Sequence, residues 1–96
     1  MKIPRNMSGE MLIRLLRKLG YQVTRQVGSH VRLTTTSGGE HHITVPLHNP
    51  VRAGTLNGIL SDVAAHFATT KEQILVTLLE EARGHDLNRN TQSEKI

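Results

Sequence analysis

The stretch Tyr21-Gln-Val-Thr-Arg-Gln-Val-Gly-Ser-His-Val-Arg-Leu-Thr-Thr-Thr-Ser-Gly-Gly-Glu-His-His-Ile-Thr-Val-Pro46 decides the fold. Apolar and polar side chains alternate through it in three runs separated by glycine. From Tyr21 to Gln26, Tyr21 and Val23 fall on one side and Gln22, Thr24 and Gln26 on the other, the period of a half-buried strand. Gly28-Ser29 interrupts the run. It resumes from His30 to Thr36, with Val31 and Leu33 on the apolar side and His30, Arg32 and Thr34 on the polar side. Ser37-Gly38-Gly39-Glu40 is rich in residues that tolerate positive φ and reads as a hairpin turn. Ile43 and Val45 mark a third strand with His42 and Thr44 on its polar side, and Pro46 ends it.

Upstream, Ser8 is an N-cap candidate, and Leu12, Leu15, Leu16 and Leu19 recur at helical spacing until Gly20 stops the helix. Arg14, Arg17 and Lys18 fall opposite that leucine stripe, so the helix is core on one side and cationic on the other. Downstream, a loop from Leu47 to Gly54 leads to a helix capped near Thr55, with Leu56, Ile59, Leu60, Val63 and Phe67 as its stripe. Thr70 and Gln73 form a capping-box pattern ahead of a third helix carrying Ile74, Leu75, Leu78, Leu79 and Ala82. The predicted architecture is α+β: a three-stranded antiparallel sheet with helices on one face, in the order α-β-β-β-α, plus a C-terminal helix. Residues 1–83 are expected to form one domain and 84–96 a flexible polar tail. The other face of the sheet then collects Gln22, Thr24, Gln26, His30, Arg32, His42 and Thr44, where a ligand or partner would meet the protein.

Composition narrows what that face can do. Ninety-six residues hold one modest core and a surface site, and leave no room for a deep cofactor pocket. Aromatics are 2% of the chain, which argues against single-strand binding by base stacking. The chain contains no cysteine, so disulfides, thiol catalysis and thiolate zinc sites are excluded. The opening Met-Lys-Ile-Pro-Arg-Asn lacks the apolar stretch of a signal peptide and no run approaches the ~20 apolar residues of a membrane span, so a cytoplasmic location is expected. Of the net charge of +4, residues 1–34 contribute seven basic against one acidic residue, +6, and the two remaining thirds are each −1. A positive field concentrated in one third favours a polyanionic partner, nucleic acid or an acidic protein; a solvated basic face is the plain alternative.

Six histidines raise the question of metal binding. His41, His42 and His48 are the only cluster, and neighbours in a strand point to opposite faces, so no metal site and no cofactor are expected. His41 reads as a hairpin-mouth residue and His48 as a polar loop residue, while His66 and His85 invite no functional reading. His30 differs, because it follows the Gly28-Ser29 turn and opens a strand on the polar face with Arg32 beside it. An imidazole, with an ordinary pKa near 6.5, can take a proton from an RNA 2′-hydroxyl or deliver one to a leaving 5′-oxygen. Arg32 can offset charge building on the phosphate. Taken alone, such a pair is also what ordinary solvated surface looks like. Ser29 has no nearby acid for a nucleophilic relay and reads as a turn residue.

Taken in order, Ser8-Gly9, Leu15-Leu16-Arg17-Lys18-Leu19-Gly20-Tyr21, Arg25-Gln26, Gly28-Ser29-His30, Thr44-Val45-Pro46-Leu47-His48 and Gly54-Thr55-Leu56 with Ile59-Leu60 make the chain resemble the HicA family of toxins. The likeness runs collinearly from residue 8 to about residue 80. It implies a fold like the double-stranded RNA-binding domain, an endoribonuclease that cleaves mRNA independently of the ribosome, and neutralisation by a HicB-type antitoxin in an oligomeric assembly. The family's catalytic histidine falls on His30, and its basic helix on Arg14, Arg17 and Lys18. Gly28, Ser29 and Arg32 complete the expected RNA-contacting set. Departures from the family pattern are Val27 before the glycine, Val31 after His30 and Asn57 after Thr55-Leu56. The wide minor groove of A-form RNA, lined by 2′-hydroxyls and phosphates, suits a domain that offers a basic helix and a polar sheet face. That sheet face is also where the antitoxin is expected to dock. Two rivals stay open at this point: a non-catalytic RNA-binding module, and a decayed toxin acting only through protein interaction.

Overall fold

The computed structural model describes residues 5–79. Helix α1 (Gly9–Leu16) begins where Ser8, in extended conformation, accepts a hydrogen bond from the Met11 amide through its side chain at 3.0 Å. A 3₁₀ turn (Arg17–Leu19) tightens its end, and Gly20 at φ 89° closes it in the left-handed conformation that glycine adopts without strain. Strands β1 (Gln22–Val27), β2 (His30–Thr35) and β3 (His41–Pro46) then form an antiparallel sheet in the order β1-β2-β3. Helix α2 (Ala53–His66) follows, and a third helix, α3, occupies 71–79. This is the α+β arrangement expected of the chain, with a layout compatible with the double-stranded RNA-binding fold. Ala82, His85 and the tail 84–96 lie outside the described residues.

The helices cover one face of the sheet. Val31, Leu33, Ile43 and Val45 point into a core completed by Leu12, Leu16, Leu56, Leu60, Val63 and Leu78, all at most 5% exposed. Thr35 is also buried, but its hydroxyl donates to the Leu19 carbonyl and accepts from the Ser37 amide, so no polar group is stranded. Gly9 packs so tightly on the end of β3 that an added Cβ would lie 2.1 Å from the Pro46 carbonyl oxygen. Its amide donates to the His48 carbonyl at 2.9 Å. The start of α1 is thereby fixed to the chain leaving the sheet.

Two expectations change. Strict alternation puts Gln26 on the open face, but a β-bulge between Val23 and Arg25 shifts the register. Beyond it, Arg25 lies opposite Arg32 and Val27 opposite His30, while Gln26 lies opposite Val31 and so on the helix side. Val23 does face the helices, opposite Leu33, yet stays 41% exposed because β1 is an edge strand that the helices do not cover. Helix α2 starts at Ala53 rather than behind a Thr55 cap: Arg52 is the extended residue before it, with no side-chain cap. Tertiary contact replaces that cap, since the Val51 amide donates to the Met7 carbonyl at 2.8 Å and Val51 is buried. Phe67 caps the end of α2, packed against the core as expected and edge-on to Tyr21.

Candidate functional site

The polar sheet face rises from the β1–β2 hairpin. Val27 pairs with His30 across a two-residue turn in which Gly28, at φ 58°, is the first central residue, the pattern of a type II′ hairpin. Open space surrounds Gly28, so its glycine is required by backbone conformation and not by crowding. The Ser29 carbonyl accepts the Leu47 amide at 2.7 Å, which ties the turn to the same 46–48 segment that holds the start of α1. His30 is exposed at the head of β2, with Val27 and Pro46 as its register neighbours. Among the described residues its ring makes no hydrogen bond.

Arg32 lies two residues along, on the same face, and Arg25 stands across from it. Among the described residues the one contact between a basic side chain and a carboxylate joins His42 Nε2 to Glu40 at 2.9 Å, so neither arginine has a carboxylate partner. His42 extends that contact inward. Its Nδ1 lies 2.7 Å from the Thr34 hydroxyl, which lies 2.9 Å from the Thr24 hydroxyl at the bulge. The open face thus carries a bare imidazole and two bare guanidiniums at one end and a closed polar chain at the other. Arg25 escapes a reading by alternation, which assigns it to the helix side; a charge on a supposed core-side position was the one available signal.

Arg14, Arg17 and Lys18 are exposed as expected, but on the outer surface of the helix layer. The structure brings Gly28, Ser29, His30 and Arg32 together and leaves those three across the sheet from them. Two shallow depressions of about 300 and 240 Å³ share Arg17 and carry the outer face of α1 around to Gln22 and Val23 at the β1 edge. Asn57 fills the position where the resemblance has a basic residue, and Lys71 Nζ donates to its Oδ1 at 2.9 Å, so α3 returns a cation to that place.

Of the other described histidines, His41, His42 and His66 are held by partners, whereas His48 is exposed and its ring makes no hydrogen bond among the described residues. His41 and His42 point to opposite faces, as adjacent strand residues must. On the helix side, the Tyr21 hydroxyl is hydrogen-bonded to His41 Nδ1 at 2.8 Å, and His41 stacks on His66 with ring centroids 4.5 Å apart. His66 Nε2–H donates to the Ser37 carbonyl at 2.8 Å, and Phe67 meets both Tyr21 and His66 edge-on. The sole Tyr and the sole Phe of the chain are both in this cluster. Burial pushes the Tyr21 phenol up to about 12, with the Asp62 charge adding to the effect. Burial, then the neighbouring His66, lowers His41 below the usual histidine value, with Asp62 acting in the opposite sense. No three His, Asp or Glu side chains converge among the described residues. No described helix is long and apolar enough to cross a membrane.

Residues 9–64 match the family model for the HicA toxin of bacterial toxin–antitoxin systems. No curated protein and no solved structure matches the chain.

Proposed function

The chain belongs to the HicA toxin family of bacterial toxin–antitoxin systems, and from that membership we propose that it is an endoribonuclease that cleaves mRNA independently of the ribosome, with His30 as its general acid or base. What supports this reading is the setting of His30. It stands exposed at the head of β2, directly after the two-residue turn, its ring free of any hydrogen bond among the described residues, with Arg32 beside it. An imidazole held in that way can meet a phosphodiester and its 2′-hydroxyl without first giving up a partner.

In the proposed reaction the 2′-oxygen bonds to the adjacent phosphorus while the bond to the 5′-oxygen breaks. The 2′-hydroxyl proton leaves to a base and the 5′-oxygen gains a proton, which yields a 2′,3′-cyclic phosphate and a 5′-hydroxyl. His30 performs one of these two transfers. Arg32 offsets the charge on the phosphoryl oxygens, and the exposed Gly28-Ser29 backbone lets the RNA approach the ring. The chemistry runs on imidazole and needs no metal ion. Arg14, Arg17 and Lys18 hold backbone phosphates further from the cut. A HicB-type antitoxin inhibits by covering the His30 face within an oligomeric assembly, and the pair works in the cytoplasm.

The test is incubation of the purified protein with a structured mRNA in EDTA beside the His30→Ala variant at identical salt. Cleavage by the parent alone is expected. Equal cleavage by both proteins, or by neither, defeats the assignment of His30.

A further inference from the structure

Arg25 and Arg32 are directly opposed across β1 and β2 on the open face, where paired Cα atoms lie roughly 5 Å apart. Like charges in that relation oppose folding unless something relieves them. No carboxylate among the described residues does so, since Glu40, the acidic residue on the β2–β3 turn, is taken up by His42. Arg25 reaches this place only because of the bulge at Thr24. That bulge is itself held. His42 Nε2 lies 2.9 Å from Glu40 and its Nδ1 2.7 Å from the Thr34 hydroxyl, which is hydrogen-bonded to the Thr24 hydroxyl at 2.9 Å. The Thr24 hydroxyl also lies 3.4 Å from the Arg32 carbonyl oxygen. A four-residue polar chain therefore fixes the irregularity that turns one arginine toward another, two strand positions from His30.

We propose that Arg25 and Arg32 together form a clamp for one phosphodiester of the RNA backbone next to the bond that His30 cleaves, and that Thr24 is a positioning residue for Arg25. Guanidinium is suited to this task because its planar fork gives paired hydrogen bonds to phosphate and its charge is permanent. The bound phosphate supplies the negative charge that the free protein lacks there. The inference rests on the proposed ribonuclease reading and adds to it a residue that lies outside the expected RNA-contacting set.

The test measures binding of a labelled structured RNA by full-length protein carrying His30→Ala, so that the probe survives, over a range of salt concentrations. Arg25→Gln is expected to weaken binding roughly tenfold or more, the worth of one charge-assisted contact. It is also expected to reduce the slope of log affinity against log salt by about 0.7 to 0.9, one phosphate fewer. Arg25→Lys restores the slope but only part of the affinity. Thr24→Val weakens binding less than Arg25→Gln, and the double variant binds no more weakly than Arg25→Gln alone, because Thr24 acts through Arg25. The melting temperature of Arg25→Gln stays the same or rises, since a like-charge contact is lost. RNA binding with an unchanged slope in Arg25→Gln overturns the clamp and leaves the ribonuclease reading standing. Failure of the parent to bind RNA overturns both. Intact RNA binding with lost antitoxin binding assigns the pair to an acidic segment of that partner, which also overturns the clamp.

Discussion

The two hairpins of the sheet end in opposite conditions. At the β2–β3 turn every unusual group has a partner: Gly38 faces His66 and Phe67, Ser37 accepts from His66, and His41 is held by Tyr21 and stacked on His66. At the β1–β2 turn nothing lies within 4 Å of the place a Gly28 side chain would occupy, and His30, Arg25 and Arg32 project without hydrogen bonds or ion pairs from their side chains among the described residues. At these two turns the difference separates His41 and His66, which carry structure, from His30, which is left for chemistry. A satisfied imidazole lowers the free energy of the fold. A bare one contributes little to it and remains available to a substrate.

Exchanging the two conditions breaks the comparison most sharply. His30→Ala is expected to lower the cleavage rate by on the order of 100- to 10,000-fold, the range for loss of a general acid or base. Its stability should stay within about 0.5 kcal/mol, as for other exposed positions. His66→Ala should do the reverse, costing about 1–2 kcal/mol through the lost stacking and hydrogen bond while cleavage per folded molecule is kept. Initial rates and thermal melts of both variants decide it. An active His30→Ala, or a His66→Ala protein as stable as the parent, would remove the distinction.

Gly9 sharpens the same contrast from the side of the scaffold. A methyl group there meets the Pro46 carbonyl oxygen at 2.1 Å, and backbone on both sides cannot yield as a side chain can. Gly9→Ala should cost about 3 kcal/mol, the upper end of ordinary overpacking. For a domain of this size that lowers the melting temperature by more than about 10 °C. Because Gly9 and Ser29 are bound to the same 46–48 segment, the residual activity of folded Gly9→Ala should also fall. A melt indistinguishable from the parent's would show that the two segments can move apart freely.

Most of the scaffold was legible because its signals are local. The Ser8 cap, the Gly20 stop and the three alternating runs each follow from a few adjacent residues, and each appears in the structure. So did the turn that presents His30. What escaped depends on pairs distant in sequence. The bulge at Thr24 contains no glycine or proline to announce it and is held by Thr34 and His42 from other strands, so alternation alone puts Gln26 on the wrong face and does not single out Arg25. The His41 and His66 stack joins residues 25 positions apart that periodicity places separately. Helix α2 begins before Thr55 because Met7, far upstream, fixes the chain at Val51.

Gly28 separates conformation from crowding. A side chain at φ 58° is strained although space is available, so Gly28→Ala should cost about 1–2 kcal/mol. The comparison site is Gly38, at φ 71°, where a Cβ would meet His66 and Phe67 at 3.6 and 3.7 Å, ordinary contact distances. Both substitutions should therefore destabilise by similar amounts in denaturant titrations. Only Gly28→Ala should also reduce cleavage, because only that turn presents His30. Equal activity in the two variants would mean that the turn's geometry does not set the ring's position.

The smallest expected effect is a pH dependence located at the occupied end. His41 is lowered in the folded protein, first by burial and then by His66. Between its folded value and the ordinary value of about 6.5, the unfolded chain binds the proton and the folded chain does not, so stability rises with pH across that window. This contribution is complete above about pH 6.5 and is lost progressively as the solution becomes more acidic. Melts recorded from about pH 7 down to about pH 5 should show a decline in the parent, and a shallower one in His66→Ala, which removes one cause and leaves burial in place. A steeper decline in His66→Ala would instead mean that His66 shields His41 from the proton, and that the stacked pair works against the direction assigned to it.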